Sequence, residues 1–173
     1  MDVQTLRATQ APLKERYRDE PAAAYVTLVA DGSLDGVDVT CSVQTGRALV
    51  EAGLHPATGG DGLAVCSGDM LLQALVACAG VTLRAVATSM GFDVAGGSVH
   101  AEGDLDFRGT LGVDKQAPVG FSDIRLRFDL RQATHDGAAL HEDQQATLLK
   151  LTERYCVVLQ TLRRPPTTSA GIA

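Results

Sequence analysis

The chain has 173 residues, a formal net charge of −6, 4 cysteines and no Trp, with an apolar content carried by Ala, Val, Leu and Gly. That length buries a core without disulfides or metals, so a single domain over residues 1–173 is expected. The acidic balance, with no Lys/Arg cluster or aromatic-plus-basic stripe to offset it, argues against a nucleic-acid surface.

The N-terminal MDVQTLRATQAP lacks the apolar core of a signal peptide, and residues 1–21 are polar enough to read as an arm. AAAYVTLVADG follows as a strand ending at the Asp31-Gly32 turn. In VDVTCSVQTG the apolar Val37, Val39, Cys41 and Val43 alternate with Asp38, Thr40, Ser42 and Gln44, a period of two that marks a strand with one buried face. Cys41 then reads as a packed thiol. RALVEAGL is a third candidate strand, although its Ala and Glu also permit a helical turn, and HPATGGDG is a loop by composition.

SGDMLLQALVACAGVTLRAVATSMG, Ser67 to Gly91, is a long helix. Ser67 is placed as its N-cap, Asp69 sits in its first turn where the helix dipole favours a carboxylate, and Gly91 stops it. It comes nearest to the ~20 apolar residues of a membrane span, but Asp69, Gln73 and Arg84 interrupt it. No membrane partner and a cytoplasmic location are therefore expected. DVAGGSVHAEGDLDFRG reads as a strand broken at Gly-Gly, TLGVDKQAPVG as a loop, and FSDIRLRFDL as the clearest alternating strand of the chain. HEDQQATLLKLTERY is a second helix with Leu148, Leu151 and Tyr155 along one stripe. CVVLQTL continues or restarts it, and residues 165–173 form a tail. The order β-β-β-α-β-β-α points to an α+β fold with antiparallel pairing. A central helix that is apolar nearly all round needs cover nearly all round, which implies a dimer.

The cysteines have no CxxC spacing, and His55, His100, His135 and His141 are scattered outside any metal motif, so no metal site is expected. HPATGGDG also lacks the spacing and lysine of a phosphate loop. Cys78 shares a helix face with Leu71, Ala74, Leu75, Val81, Thr82 and Ala85. In a wholly apolar setting its thiol would be inert, and a reactive Cys78 needs a cationic or hydrogen-bonding neighbour from elsewhere. Cys156 lies where one helix passes into another, a position that either buries a small residue or exposes a thiol to a new helix start.

Together, SGDMLLQALVACAGVTL and the later ERYCVVLQTL resemble the OsmC/Ohr family, the osmotically inducible and organic-hydroperoxide-resistance proteins, over roughly Ala23 to Leu162. The resemblance implies antiparallel sheets from the N- and C-terminal halves around the long helix, in an intertwined homodimer. It also implies reduction of hydroperoxides by cysteine alone, without metal, haem or flavin. Cys78 would then be the peroxidatic thiolate that becomes a sulfenic acid, and Cys156 the resolving thiol. Their disulfide would be reduced by an external dithiol, and an apolar approach would suit organic hydroperoxides.

The chain departs from the family pattern in three places. Family peroxidases hold the thiolate with an arginine supported by a glutamate. In the organic-peroxide branch that glutamate lies ten residues before the cysteine, where this chain has Gly68. Asp69 is nine before, half a turn out of phase with Cys78, and reads better as a helix-start carboxylate. The arginine is assigned to Arg47, with Arg16 and Arg18 as alternatives and surface solvation as the plain reading of each. The second cysteine is followed by Val157 where the family has proline, which weakens local preorganisation. Cys66 is an extra thiol, read as a bystander. The expected function is a peroxidase for organic hydroperoxides. The alternative is an OsmC-like dimer that binds small molecules, senses redox state or serves structurally without efficient peroxidase activity.

Overall fold

The computed structural model of the protein describes residues 49–112, 114–130 and 133–172, backbone stretches 32–33 and 40–44, and single positions 3, 4, 8, 11 and 19. Arg16, Arg18 and Arg47 lie outside the described residues, as does most of the expected arm and first strand.

The chain divides into two compact units. One comprises Asp19–Gln73 and Ala101–Arg125. Its four-stranded sheet has the order β1 (Gly32–Ser33), β2 (Thr40–Gln44), β3 (Leu49–Gly53), β4 (Val65–Cys66). The first three strands pair antiparallel, with Gln44 opposite Leu49 and Thr40 opposite Gly53. The two-residue β4, too short to show any period, pairs parallel to β3, with Cys66 opposite Gly53. Between β3 and β4 the chain makes a 3-10 turn at Pro56–Thr58, capped by His55, whose Nδ1 accepts the Ala57 N–H at 3.0 Å. The His55 ring stacks on Phe107 with centroids 4.9 Å apart.

Phe107 opens the short helix α2 (Phe107–Thr110), so the segment DFRG, expected as the end of a strand, is helical. Asp106 explains the change. Its carboxylate caps the turn by accepting the Arg108 N–H at 3.0 Å, which ends the strand there. In the same unit Arg125 gathers three carboxylates, bonding Glu102 at 2.9 Å, Asp104 at 2.8 Å through Nη2, and Asp123.

The other unit comprises Met1–Arg18, Ala74–His100 and Leu126–Ala173. The central helix α1 (Ser67–Met90) contributes Ala74–Met90 to it. Its core joins Leu83, Val86 and Ala87 of α1 with Phe92, Ala133, Leu140 and Leu148. Gly91 terminates α1 as expected, at φ 75°. Its N–H returns to Thr88 O at 3.2 Å and that of Phe92 to Ala87 O at 2.9 Å, the paired bonds of a left-handed C-cap. Phe92 is thereby turned into the core.

The break expected at Gly-Gly separates β5 (Asp93–Val94) from β6 (Ser98–Leu105). Beside β6 lies β7 (Phe121–Asp129), in a two-stranded sheet. A further hairpin, β8 (Ala133–His135) and β9 (Ala138–Ala139), completes the antiparallel sheet β5-β8-β9. Its turn places Asp136 at φ 52° and Gly137 at φ 78°, the two positive values that an Asp-Gly pair tolerates.

Helix α3 (Glu142–Tyr155) starts with a capping box in which Gln144 Oε1 accepts the His141 N–H at 2.9 Å. Its stripe differs from expectation at one position. Leu148 is fully buried, but Tyr155 is 58% exposed and Thr152 is buried instead. The last helix, α4 (Val157–Arg163), restarts after a one-residue break at Cys156. By length (24 residues) and an 18-residue window of mean hydropathy 1.8, α1 meets the composition of a membrane span despite its three polar interruptions. In this fold its Leu75, Ala79, Leu83, Val86 and Ala87 are core residues.

Candidate active site

Cys78 sits at the edge of the buried stripe of α1. At 100° per residue the stripe Leu75, Ala79, Leu83 and Val86 lies to one side of it, and Ala77 and Val81 lie to the other. The first four are buried and Val81 is 71% exposed, so Cys78 is half-buried at the boundary. Core packing and access to the surface, competing readings of the helix alone, meet at this one residue.

The second thiol comes from the α3–α4 junction. Cys156 is fully buried and has extended backbone, φ −71° and ψ 107°. Its N–H closes α3 on Thr152 O and its carbonyl opens α4 by accepting the Gln160 N–H, both at 2.9 Å. In an unbroken helix the N–H groups of Val157 and Val158 would bond to the carbonyls of Glu153 and Arg154. The break frees them. Gln160 Nε2 donates to the stranded Glu153 carbonyl at 2.7 Å, and the two free N–H groups turn to Cys78.

The electrostatics divide the two thiols. Burial pushes the Cys78 thiol up, and it is the largest single influence. Hydrogen bonds from the Val158 N–H, the Cys156 thiol, the Thr82 hydroxyl and the Val157 N–H together outweigh it, so Cys78 titrates below an ordinary thiol. Burial also pushes Cys156 up. The N–H groups of Leu159 and Val158 oppose this, but the bond to Cys78 and the negative charge of Cys78 hold Cys156 above an ordinary thiol. Both are free thiols. None of these influences on Cys78 is a charged side chain. The stabilisation that the sequence assigns to a cation is supplied, among the described residues, by backbone amides, the Cys156 thiol and a hydroxyl.

Of the other sequence-predicted residues, Asp69 is exposed at the helix start. Nine residues of helix place it about 13 Å along the axis from Cys78 and on the opposite side. Gly68 is enclosed by carbon. A Cβ there would stand 3.4 Å from Leu105 Cδ1 and Phe121 Cζ and 3.6 Å from the Cys66 sulfur. Valine at 157 changes the site differently from expectation. It keeps an N–H that proline lacks, and that N–H reaches Cys78.

Among the described residues no group of three or more His, Cys, Asp or Glu is placed to hold a metal ion. On its other flank α1 borders a groove of about 370 Å³ lined by Ala77, Gly80, Val81, Arg84, Val99 and Phe128, with others.

The family model for OsmC-like proteins matches residues 59–170, the segment that carries both cysteines. This chain belongs to the OsmC-like family. Solved structures share its fold at low identity. The OsmC-like protein from Mycoplasma pneumoniae has a TM-score of 0.64 at 14% identity, covering 81% of this chain and 89% of that one. An OsmC-like protein of unknown function from Vibrio cholerae has a TM-score of 0.62 at 14% identity, covering 79% and 94%. A third is described as an organic hydroperoxide resistance protein OsmC and predicted redox protein from Legionella pneumophila. It has a TM-score of 0.58 at 18% identity, covering 82% and 92%. No curated protein matches the sequence. The expected α+β OsmC-like architecture, with small antiparallel sheets and one long helix, is the architecture found.

Sequence reasoning on this OsmC-like chain missed Thr82 as a partner of Cys78, although it stands one turn away at i+4, the spacing that brings side chains together. The amides of Val157 and Val158 had a weaker signal, the restart of a helix immediately after a cysteine.

Proposed function

We propose that this OsmC-like protein is a cysteine peroxidase for organic hydroperoxides, with Cys78 as nucleophile and Cys156 as resolving thiol. One observation carries the reading: two free thiols meet, one more acidic and one less acidic than an ordinary thiol. Thiolate is the attacking species, so the more acidic Cys78 is poised to react and Cys156 keeps its proton.

The Cys78 thiolate attacks the terminal oxygen of R–O–OH. A sulfur–oxygen bond forms, the O–O bond breaks, and the alkoxide leaves and takes a proton to give the alcohol. Cys78 is then a sulfenic acid, oxidised by two electrons. The Cys156 sulfur displaces its hydroxyl as water and forms the Cys78–Cys156 disulfide. An external dithiol supplies two electrons and two protons to restore both thiols. No metal, haem or flavin enters these steps. Exposed Val157 flanks the site with carbon, which suits an alkyl substituent on the peroxide.

A second copy of the chain covering the Ala77–Val81 flank of α1 would bury that exposed apolar surface, and a homodimer is part of the proposal. The test of function is hydroperoxide consumption with a dithiol reductant by the wild type and by Cys78→Ser. The wild type consumes it and the variant does not. Equal rates would remove the assignment.

A further inference from the structure

Resting on the reading of Cys156 as the resolving thiol, we infer that Gln160 is a positioning residue for it. The Gln160 side-chain amide takes the place of the Val157 N–H at the Glu153 carbonyl, and so keeps α3 and α4 from fusing through Cys156. The bond in question runs from Gln160 Nε2 to Glu153 O and measures 2.7 Å. In a continuous helix that carbonyl accepts the N–H four residues on, which belongs to Val157. No such backbone bond stands among the described residues. The acceptor that would heal the break is held instead by a side chain from the first turn of the next helix.

The residue at the break does not explain the break. Proline at 157 would force one, having no N–H and a ring that clashes with the carbonyl four residues back. Valine has the N–H, and its branched Cβ lowers helix propensity only slightly. The backbone is also regular on both sides. The Cys156 N–H reaches Thr152 O and the Gln160 N–H reaches Cys156 O, both at 2.9 Å. The departure is concentrated in one torsion, the Cys156 ψ of 107°, which turns the next peptide roughly 150° from its helical setting. That torsion decides where the Val157 N–H points.

Gln160 is bonded on both sides of it. Its backbone N–H holds the Cys156 carbonyl and its side chain holds the Glu153 carbonyl, one turn earlier. Arg163 adds a second hold on the same residue, with Nη1 at 3.1 Å from Glu153 Oε2. That ion pair is half-exposed on both sides and is the weaker of the two. Gln160 is half-buried, and its bond to the carbonyl is partly shielded from water. Helix α4 thus grips the end of α3 through Glu153, and Cys156 lies fully buried at the pivot. Healing the break would turn α4 about Cys156 and move the thiol relative to α1, where Cys78 stands.

The test is the rate at which diamide drives the Cys78–Cys156 disulfide in the full chain. Diamide needs no peroxidase activity: the S–S bond forms, the N=N bond is reduced by two electrons, and the two thiol protons pass to nitrogen. A Cys66→Ser background lets the tryptic peptides carrying Cys78 and Cys156 report one thiol each by mass spectrometry. Gln160→Leu keeps the bulk and loses the donor, and it slows disulfide formation by about tenfold or more. In a Val157→Pro background the same Gln160→Leu change moves the rate by less than about twofold, because proline has no N–H with which to heal the helix. Equal rates in the wild type and Gln160→Leu overturn the inference. So does an equal slowing in both backgrounds, which would make Gln160 a matter of stability alone. Circular dichroism checks that each variant is folded. Should Gln160→Leu alone fail to fold, Val157→Pro with Gln160→Leu decides: a folded chain that pairs its thiols supports the inference, and an unfolded one overturns it. A wild type that forms no such disulfide removes the resolving role of Cys156 and this inference with it. A wild type that pairs its thiols with diamide yet leaves hydroperoxide unconsumed removes the peroxidase reading alone.

Discussion

Two cysteines of this chain stand immediately before a helix, Cys66 before α1 and Cys156 before α4. By the helix-dipole argument alone Cys66 has the stronger position, since α1 has 24 residues and α4 has 7. Their surroundings reverse the order. Cys66 is half-buried with its sulfur close to Gly68, in a packing that also holds Leu105 and Phe121. Cys156 is fully buried, and its thiol meets a second thiol whose own acidity is raised by freed amides. A helix start is thus only a setting. In the proposed function, redox chemistry depends on a second sulfur beside the first, and Cys156 stands at the break between α3 and α4.

The largest effect that would break this comparison is at the thiols themselves. Cys78→Ser should lower hydroperoxide turnover by more than about 1,000-fold. Cys156→Ser should keep a single turnover yet lose the disulfide, leaving a sulfenic acid on Cys78 that a trapping reagent detects by mass spectrometry. If Cys156→Ser cycles as fast as the wild type, Cys156 is no better placed than Cys66.

A smaller effect is expected at Val157. Proline is tolerated there, because Cys156 already has the extended backbone a pre-proline residue adopts and the first helical position needs no N–H. Val157→Pro should therefore fold, yet lose one donor to the thiolate, slowing Cys78 alkylation about fivefold near neutral pH. The sign follows from the acidity of Cys78. Its thiolate persists below the ordinary thiol range near pH 8.5 and is lost as pH falls through its own lower value, so removing a donor moves the whole rate profile to higher pH.

Gly68→Glu tests the other side of the comparison. Restoring the family carboxylate would place it among Leu105, Phe121 and Cys66, costing about 1–3 kcal/mol in a denaturant titration. The smallest change is predicted for Cys66→Ser, with turnover within about twofold and stability within about 1 kcal/mol of the wild type.

Much of the fold was legible. Alternation located β2 and β7, the apolar run located α1, and Gly91 marked its end. These are local signals, the strands and the helix each written in five or more residues and the helix end in one glycine. The two-residue strands β4, β5 and β9 carry no period, and they form because neighbouring chain is brought alongside them. The hairpin β8–β9 did offer an Asp-Gly signal that alternation alone does not use. DFRG resembled strand until its Asp106 cap was considered.

The site was half legible. Cys78 and Cys156 could be paired through the resemblance, and phase along the helix separated Asp69 from Cys78. The donors to Cys78 were harder to see, because two of them are backbone groups. An amide has no letter in a sequence, and whether it is free depends on where a helix breaks. The resemblance therefore directed attention to arginines, of which Arg47, Arg16 and Arg18 lie outside the described residues. Thr82 was readable by its spacing, once a hydroxyl is counted among the groups that can hold a thiolate.

The break at Cys156 has a consequence for how such a site changes over generations. Gln160 secures the broken backbone through the Glu153 carbonyl, and neither thiol takes part in that bond. The residue at 157 is therefore released from holding the helices together. Exchange there between proline and a residue that has an N–H alters the acidity of a sulfur on a different helix while the scaffold stays as it was. Reactivity and architecture are in this way under separate control, and drift at one position can retune the first without endangering the second.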